Sequence, residues 1–149
     1  MNKQFALDYE LEKTIYDSYH KAQDSGDEAG MEKFRAMYRE EFDPYLKSQD
    51  ADYINLYQFY KSARERGNEY IDINEPYQYR DADNLLAALR KYEIERFTFS
   101  SGWSSAIETC WELTQKGCTL EGMTEINGTT TKIFSDEYER VPAFVFKVN

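Results

Sequence analysis

The sequence contains one histidine, His20, and two cysteines, Cys110 and Cys118, among 149 residues. A zinc site needs about four His, Cys or carboxylate ligands brought together, and this supply does not form such a set. The cysteines are neither a C-x-x-C pair nor part of a His/Cys cluster, so they read as small apolar side chains in a reducing cytosol. A Cys110–Cys118 disulfide is the minor alternative. No apolar run approaches the length of a membrane span. The opening Met1-Asn2-Lys3-Gln4-Phe5 leads into a charged helix with no apolar h-region, so it does not read as a signal peptide. Basic residues are also short: 18 Lys and Arg stand against 28 Asp and Glu, a net charge of −10. Phosphate contact needs a basic patch, so direct nucleic-acid binding is not expected, and neither is an anionic membrane surface. A basic protein partner is favoured by the same charge, because long-range attraction speeds its capture. No cofactor or metal is expected, and the location read from these features is cytoplasmic.

The chain does carry ample apolar and aromatic content, 41% and 16%, enough for a folded core. The periodicities describe an α+β protein. An N-terminal helical hairpin and a third helix come first. A small mixed sheet follows in β-α-β-α-β-β order, closed by a C-terminal antiparallel hairpin. The domain organisation read here is 1–48 for the helical hairpin and 49–149 for the α+β part.

In the first helix, Phe5 to about Gln23, the residues Leu7, Leu11, Ile15 and Tyr19 fall four apart on one face. Asp24-Ser25-Gly26-Asp27 breaks the chain. Glu28 to about Phe42 resumes helix with Met31, Phe34, Tyr38 and Phe42 as its stripe, and Pro44 ends or kinks it. Asp50 is placed to cap a third helix from Ala51 to Arg66, stopped by Gly67. Tyr53, Tyr57 and Tyr60 make that helix strongly aromatic. Twelve of the 13 tyrosines lie at or before Tyr92. Two readings of them stay open: a half-buried contact surface, or core residues with their hydroxyls at the edge.

Tyr70–Ile73 reads as a short strand, and Asp81 as the cap of a helix ending near Lys91 with Leu85, Leu86 and Leu89 inward. Ile94 to Phe99 alternates with period two and reads as the next strand. If both strands share the sheet, they form a parallel βαβ unit. Ser100 to Ser105 is a Ser-rich turn before a helix, with Ser105 and Glu108 spaced as a capping box and Ser101 an equal candidate cap. Ile107, Trp111 and Leu113 give that helix its apolar side, with Cys110 beside it, and Gly117 is placed as its stop. Beyond it, Leu120 to Ile126 reads as a strand, and Asn127-Gly128 is either a two-residue hairpin turn, with Thr129 to Phe134 pairing back, or a bulge in one long strand whose turn lies at Ser135–Tyr138. The second register is preferred, because Thr129-Thr130-Thr131 is β-prone and Arg140–Val148 needs a long partner. Pro142 puts that last run at an edge or makes its start irregular.

Gly102-Trp103-Ser104-Ser105-Ala106 has the outline of a loose nucleophile elbow with Ser104 as nucleophile. The chemistry needs a base, and His20 lies in the first helix, before the serine instead of after it. A carboxylate pair, Glu108 and Glu112, sits four apart on one helix face without a cleft signal. Helix capping explains the serines more simply. An anion site at this helix start is the remaining option.

The series Glu95-Arg96-Phe97-Thr98-Phe99-Ser100-Ser101, Trp103-Ser104-Ser105, Glu108-Thr109, Gly117-Cys118, Glu121-Gly122-Met123-Thr124-Glu125-Ile126-Asn127 and Pro142-Ala143 resembles an uncharacterised family of small proteins. Its members occur in Gram-positive bacteria, often on phages and conjugative elements. The resemblance covers roughly Tyr57 to Val148. It carries no activity and no functional residue, but it implies a setting in which small acidic proteins inhibit host defence, as anti-CRISPR and antirestriction proteins do.

The function expected on these grounds is an acidic protein-binding inhibitor, of anti-CRISPR or antirestriction type, that occupies a basic surface of a nuclease such as a CRISPR nuclease. The candidate contact residues are Asp24, Asp27 and Glu28; Glu40, Glu41 and Asp43; Asp50, Asp52, Tyr53, Tyr57 and Tyr60; and Asp136, Glu137 and Glu139. A solvated surface explains scattered acids equally well. The alternatives are a homodimeric accessory module built on the helical hairpin, and a small enzyme using Ser104.

Overall fold

A computed structural model describes residues 3–74, 82–101 and 104–149. The chain divides into a helical unit, Asn2–Asn55, and a sheet unit, Leu56–Asn149. The division falls inside a helix that runs through it. The boundary read from sequence, between residues 48 and 49, lies just before that helix begins.

In the helical unit, α1 spans Lys3–Asp24 and α2 spans Glu28–Ala36. They pack on each other through a tight turn, where the Asp27 amide donates to Ala22 O at 2.8 Å. Asp27 then caps α2, its Oδ1 accepting from the Gly30 amide at 2.9 Å. The inward face of α1 differs from the expected stripe. Phe5, Asp8, Ile15 and Ala22 are buried, whereas Leu7 is 63% and Leu11 46% exposed. Phe5 sets this rotation by stacking on the Tyr53 ring, centroids 4.8 Å apart. The buried positions are spaced three and then seven apart, a coiled-coil-like seam instead of a run of fours.

Pro44 does not end the second helix. Met37–Phe42 widens into a π-helical turn, and α3, Asp43–Lys47, continues from it with the proline in its first turn. A proline in regular helix loses one N–H bond and clashes with the carbonyl four residues back. The wider turn lets the Asp43 amide bond to Tyr38 O, five residues back, immediately before the proline.

Asp8 is only 3% exposed. Its carboxylate accepts from the hydroxyls of Tyr53 and Tyr45, the latter at 3.1 Å, and from Gln4 Nε2 at 2.8 Å. A buried carboxylate is tolerable only with such donors. Tyr53 therefore fills the interior with its ring and satisfies Asp8 with its hydroxyl, while the exposed Tyr45 reaches the same carboxylate from the edge.

Helix α4, Ala51–Arg66, starts at Asp50, whose Oδ1 accepts from the Tyr53 amide at 2.8 Å. Tyr53, Tyr57 and Tyr60 are 3%, 0% and 5% exposed. They are core residues, and the surface reading of these three rings is corrected: ring area already buried in the fold has nothing left to offer a partner.

The sheet unit holds the rest of α4, then β1 (Ile71–Asp72), α5 (Ala82–Lys91), β2 (Arg96–Phe99), α6 (Ala106–Gln115), β3 (Cys118–Thr131) and β4 (Tyr138–Val148). The strand order is β1-β2-β4-β3. β1 and β2 are parallel, forming the expected βαβ unit, and the other pairs are antiparallel. Leu85, Leu86 and Leu89 of α5 are buried as read. Asp81, the expected cap of α5, lies outside the described residues. Phe97 and Phe146 stack across the β2–β4 pair with centroids 5.5 Å apart.

Asn127-Gly128 is internal to one long strand, as the preferred register had it. β3 continues through it with a register shift between Asn127 and Thr131. Gly128 is required by close approach: a Cβ there would stand 3.1 Å from Val141 Cγ1 and 3.2 Å from Glu139 O. Pro142 lies in a central strand, yet β2 covers only Phe144–Lys147 of β4. At Pro142 the strand has β3 alone as neighbour, so its missing N–H breaks no second ladder. Beyond β2 the last two strands run on as a two-stranded arm.

Candidate interaction surface

The acids expected to meet a partner separate by element. Asp24, Asp27 and Glu28 surround the α1–α2 turn, where Asp27 is occupied as a cap. Glu40 and Glu41 are exposed on the π-helical turn, and Asp43 pairs with Lys47 at 2.8 Å. Asp50 caps α4, and Asp52 is half-buried in its first turn. These are places along the helical unit with local duties for several members.

Asp136, Glu137 and Glu139 are different, because they gather at the end of the β3–β4 arm. The turn there is closed on itself. The Lys132 amide donates to Glu137 O at 2.8 Å and the Ser135 amide to Lys132 O at 3.1 Å. The Glu137 amide donates to Ser135 Oγ at 2.9 Å, and Lys132 Nζ pairs with Glu137 at 3.2 Å. Between these bonds sit Ile133, 85% exposed, and Phe134, fully exposed. Phe134 has φ of +57°, a left-handed conformation that large side chains rarely adopt. Two bulky apolar side chains thus project from an ordered acidic turn. The sequence reading assigned them to a strand end and did not single them out. The available signal was an Ile-Phe pair directly before Ser135-Asp136-Glu137.

The base of the arm is fixed. Asn127 O accepts from Arg66 Nη1 at 2.8 Å and Asn68 Nδ2 at 3.0 Å. The Asn127 amide donates to Asn68 Oδ1 at 2.9 Å, its Nδ2 donates to Arg66 O at 2.6 Å, and its Oδ1 accepts from Arg140 at 2.9 Å. Asn127-Gly128-Thr129 also matches the Asn-x-Thr glycosylation pattern, and the Nδ2 that would carry a glycan is bonded within the fold.

Helix α6 corrects two expectations. Ser105 is its N-cap residue but makes no side-chain capping bond, so the Ser105–Glu108 box is not formed. Its apolar side does not go inward as a whole: Leu113 is buried, while Ile107 is 82% and Trp111 65% exposed. One buried leucine in ten residues anchors the helix, and the 107/111 ridge faces solvent beside Glu108 and Glu112.

Residues 55–148 match the family model of a domain of unknown function, DUF7698. The chain belongs to this family. No curated protein and no solved structure matches it. The DUF7698 match takes in the arm, its tip and α6, and leaves out α1 to α3.

The nucleophile-elbow reading rests on Ser104 of the DUF7698 domain with His20 as the base. Gly102 and Trp103 lie outside the described residues, and Ser104 is exposed. His20 belongs to α1, where its Nδ1 meets Gln23 Oε1 at 3.1 Å and its ring packs on Tyr16 and Tyr19. Among the described residues, no three or more His, Cys, Asp or Glu side chains converge to hold a metal. None of the described helices is long and apolar enough to cross a membrane.

The reading of Ser100–Ser105 as an anion site meets a carboxylate. Ser100 Oγ donates to Asp72 Oδ2 at 2.6 Å, and Thr98 Oγ1 donates to Asp72 Oδ1 at 2.8 Å. Asp72 is 1% exposed. Burial raises its pKa, while the two hydroxyls and the charge of Arg66 pull the other way. An anion entering beside Ser100 would face this carboxylate. The arrangement ties β1 to the residue after β2 and is a structural link that sequence reading missed.

Proposed function

We propose that this chain is an acidic protein-binding module that acts in the cytoplasm on a partner with a basic surface. Within that class the reading is an inhibitor, of anti-CRISPR or antirestriction type, that covers the nucleic-acid-binding face of a host-defence nuclease. The observation that carries it is the arm tip, where Ile133 and Phe134 stand exposed among Asp136, Glu137 and Glu139. Exposed aromatic anchors ringed by charge are the form that binding hot spots take: the apolar residue fills a pocket, and the charges speed encounter and fix register. The ordered turn lowers the entropy lost on binding. The free thiols of Cys110 and Cys118 are at home in a reducing compartment. Direct binding of DNA or RNA is opposed by the net charge of −10.

The test has two layers. Tagged full-length protein and its Phe134→Ala variant are used to capture partners from a lysate of a host carrying its defence systems. A partner retained by the first and lost by the second, with circular dichroism unchanged, supports the binding module. Identical capture by both removes the arm tip from it. A purified CRISPR nuclease or restriction enzyme is then assayed on plasmid DNA with excess protein. Cleavage that persists undiminished rejects the inhibitor reading.

A self-associating accessory module has one observation on its side. Leu7 and Leu11, four apart on α1, are both exposed, as is Tyr16 at 62%. Light scattering decides it, since a monomer mass at every concentration rules out the dimer.

A further inference from the structure

We infer that α6 carries a second docking site, which takes an amphipathic helix with a basic flank from a partner protein. The surface is built from two parallel ridges of one helix. Ile107, Trp111 and Gln115 form the first, and Glu108, Glu112 and Lys116 the second. Ridges of residues four apart leave a groove between them, and the side-chain ridge of another helix fits such a groove. Ile107 and Trp111 supply apolar area that the fold leaves exposed. Helix-in-groove recognition uses anchors at this spacing.

Charge selects the occupant. Lys116 is paired with Asp83 at 2.7 Å, so the unmatched charge along the groove is that of Glu108 and Glu112. An incoming helix with Leu- or Phe-type residues on its ridge and Lys or Arg on the Glu108 side meets both needs. Trp111 also offers an indole face to a cation at that flank. A second copy of this chain is a poor occupant. Antiparallel two-fold pairing through α6 would set Glu108 and Glu112 against their own counterparts, and any pairing joins subunits that each carry −10. The site is separate from the arm tip and does not depend on it.

The experiment titrates the full-length chain with two synthetic amphipathic peptides of about 16 residues, sharing one leucine ridge but flanked by lysine or by glutamate. Amide chemical shifts of the labelled protein and calorimetry are the readouts. The lysine peptide is expected to shift α6 resonances and to bind at least about tenfold tighter than the glutamate peptide, with the gap shrinking as salt rises. Ile107→Glu and Trp111→Ala, both at exposed positions, are each expected to weaken it about tenfold or more, and Phe134→Ala to leave it unchanged. Equal binding of both peptides overturns the inference. So does lysine-peptide binding that survives both α6 variants, or its absence at millimolar peptide. A dimer in light scattering that Ile107→Glu dissolves assigns the groove to a second copy and overturns it too.

Discussion

Arg66 donates from Nη1 to the backbone oxygen of Asn127 at 2.8 Å, joining the end of α4 to the middle of β3 across 61 positions of sequence. Arg66 is 7% exposed, so its guanidinium depends on such acceptors. The same asparagine returns its Nδ2 to Arg66 O at 2.6 Å. Asn127→Ala deletes that donor and the acceptor used by Arg140, and leaves part-buried polar groups short of partners. The expected cost is about 2–3 kcal/mol, read as a lower urea midpoint at unchanged m-value. A variant within experimental error of wild type would show that the Asn127 side chain adds nothing to the bonds its backbone makes with Arg66 and Asn68.

Asp72 gives the fold a pH dependence of defined sign. Burial raises its folded pKa above the unfolded value. Between those two values the native state binds more protons than the unfolded chain, so its stability falls as pH rises through that window. Asp72→Asn removes the titration and keeps one acceptor oxygen, so one of the Ser100 and Thr98 hydroxyls still donates and the other must turn to accept from the amide; that cost does not vary with pH. The variant's stability relative to wild type is expected to improve from pH 3 to pH 7, measured as the difference in unfolding free energy at each pH. A difference that stays flat, or worsens with pH, would refute the assigned shift.

Asp72, together with Asp8, shows where sequence reading stops. Leu85, Leu86 and Leu89 were legible because a two-sided stripe on a short helix has one way to face a sheet. The long β3 was legible because Arg140–Val148 needed a partner of its own length. Which side of α1 or α6 goes inward was not legible, since Leu7, Leu11, Ile107 and Trp111 satisfy the period as well as the residues that are buried. Packing of Phe5 on Tyr53 and of Leu113 in the core decided it. Asp8 and Asp72 were invisible because pattern reading puts carboxylates outside, and only tertiary donors make their burial tolerable. At the candidate site, Asp136, Glu137 and Glu139 were singled out by charge. Ile133 and Phe134 were absorbed into a strand, because exposure is not written in an apolar residue.

Cys118 is expected to be inert in the native protein. It is 5% exposed, and burial pushes its thiol up to about 11 despite the nearby charge of Arg90. At pH 8 its thiolate fraction, and hence its alkylation rate, falls below that of free cysteine by more than about a hundredfold. Peptide mapping after timed iodoacetamide labelling checks this, with denaturant restoring the reaction. Rapid native labelling of Cys118 would show that the β3 start opens readily.

Phe134 and Gly117 both have positive φ, +57° and +110°, but substitutions there should act in opposite directions. Phe134 pays a left-handed backbone cost with no packing in return, being fully exposed. Phe134→Gly relieves that cost, about 1–2 kcal/mol, against a smaller entropic loss, so stability is expected to hold or rise while partner capture is lost. Gly117 ends α6, and a Cβ there would stand 2.9 Å from Arg90 Nη2. That guanidinium bonds to the carbonyls of Lys116 and Asn149. Gly117→Ala therefore adds backbone strain and disturbs a link between α5 and the chain end, and about 1–3 kcal/mol is expected to be lost. Urea unfolding of the two variants side by side separates the cases. A loss of stability in Phe134→Gly would mean that the Phe134 ring supports the turn, and the arm tip would then owe its exposed aromatic to folding instead of to a partner.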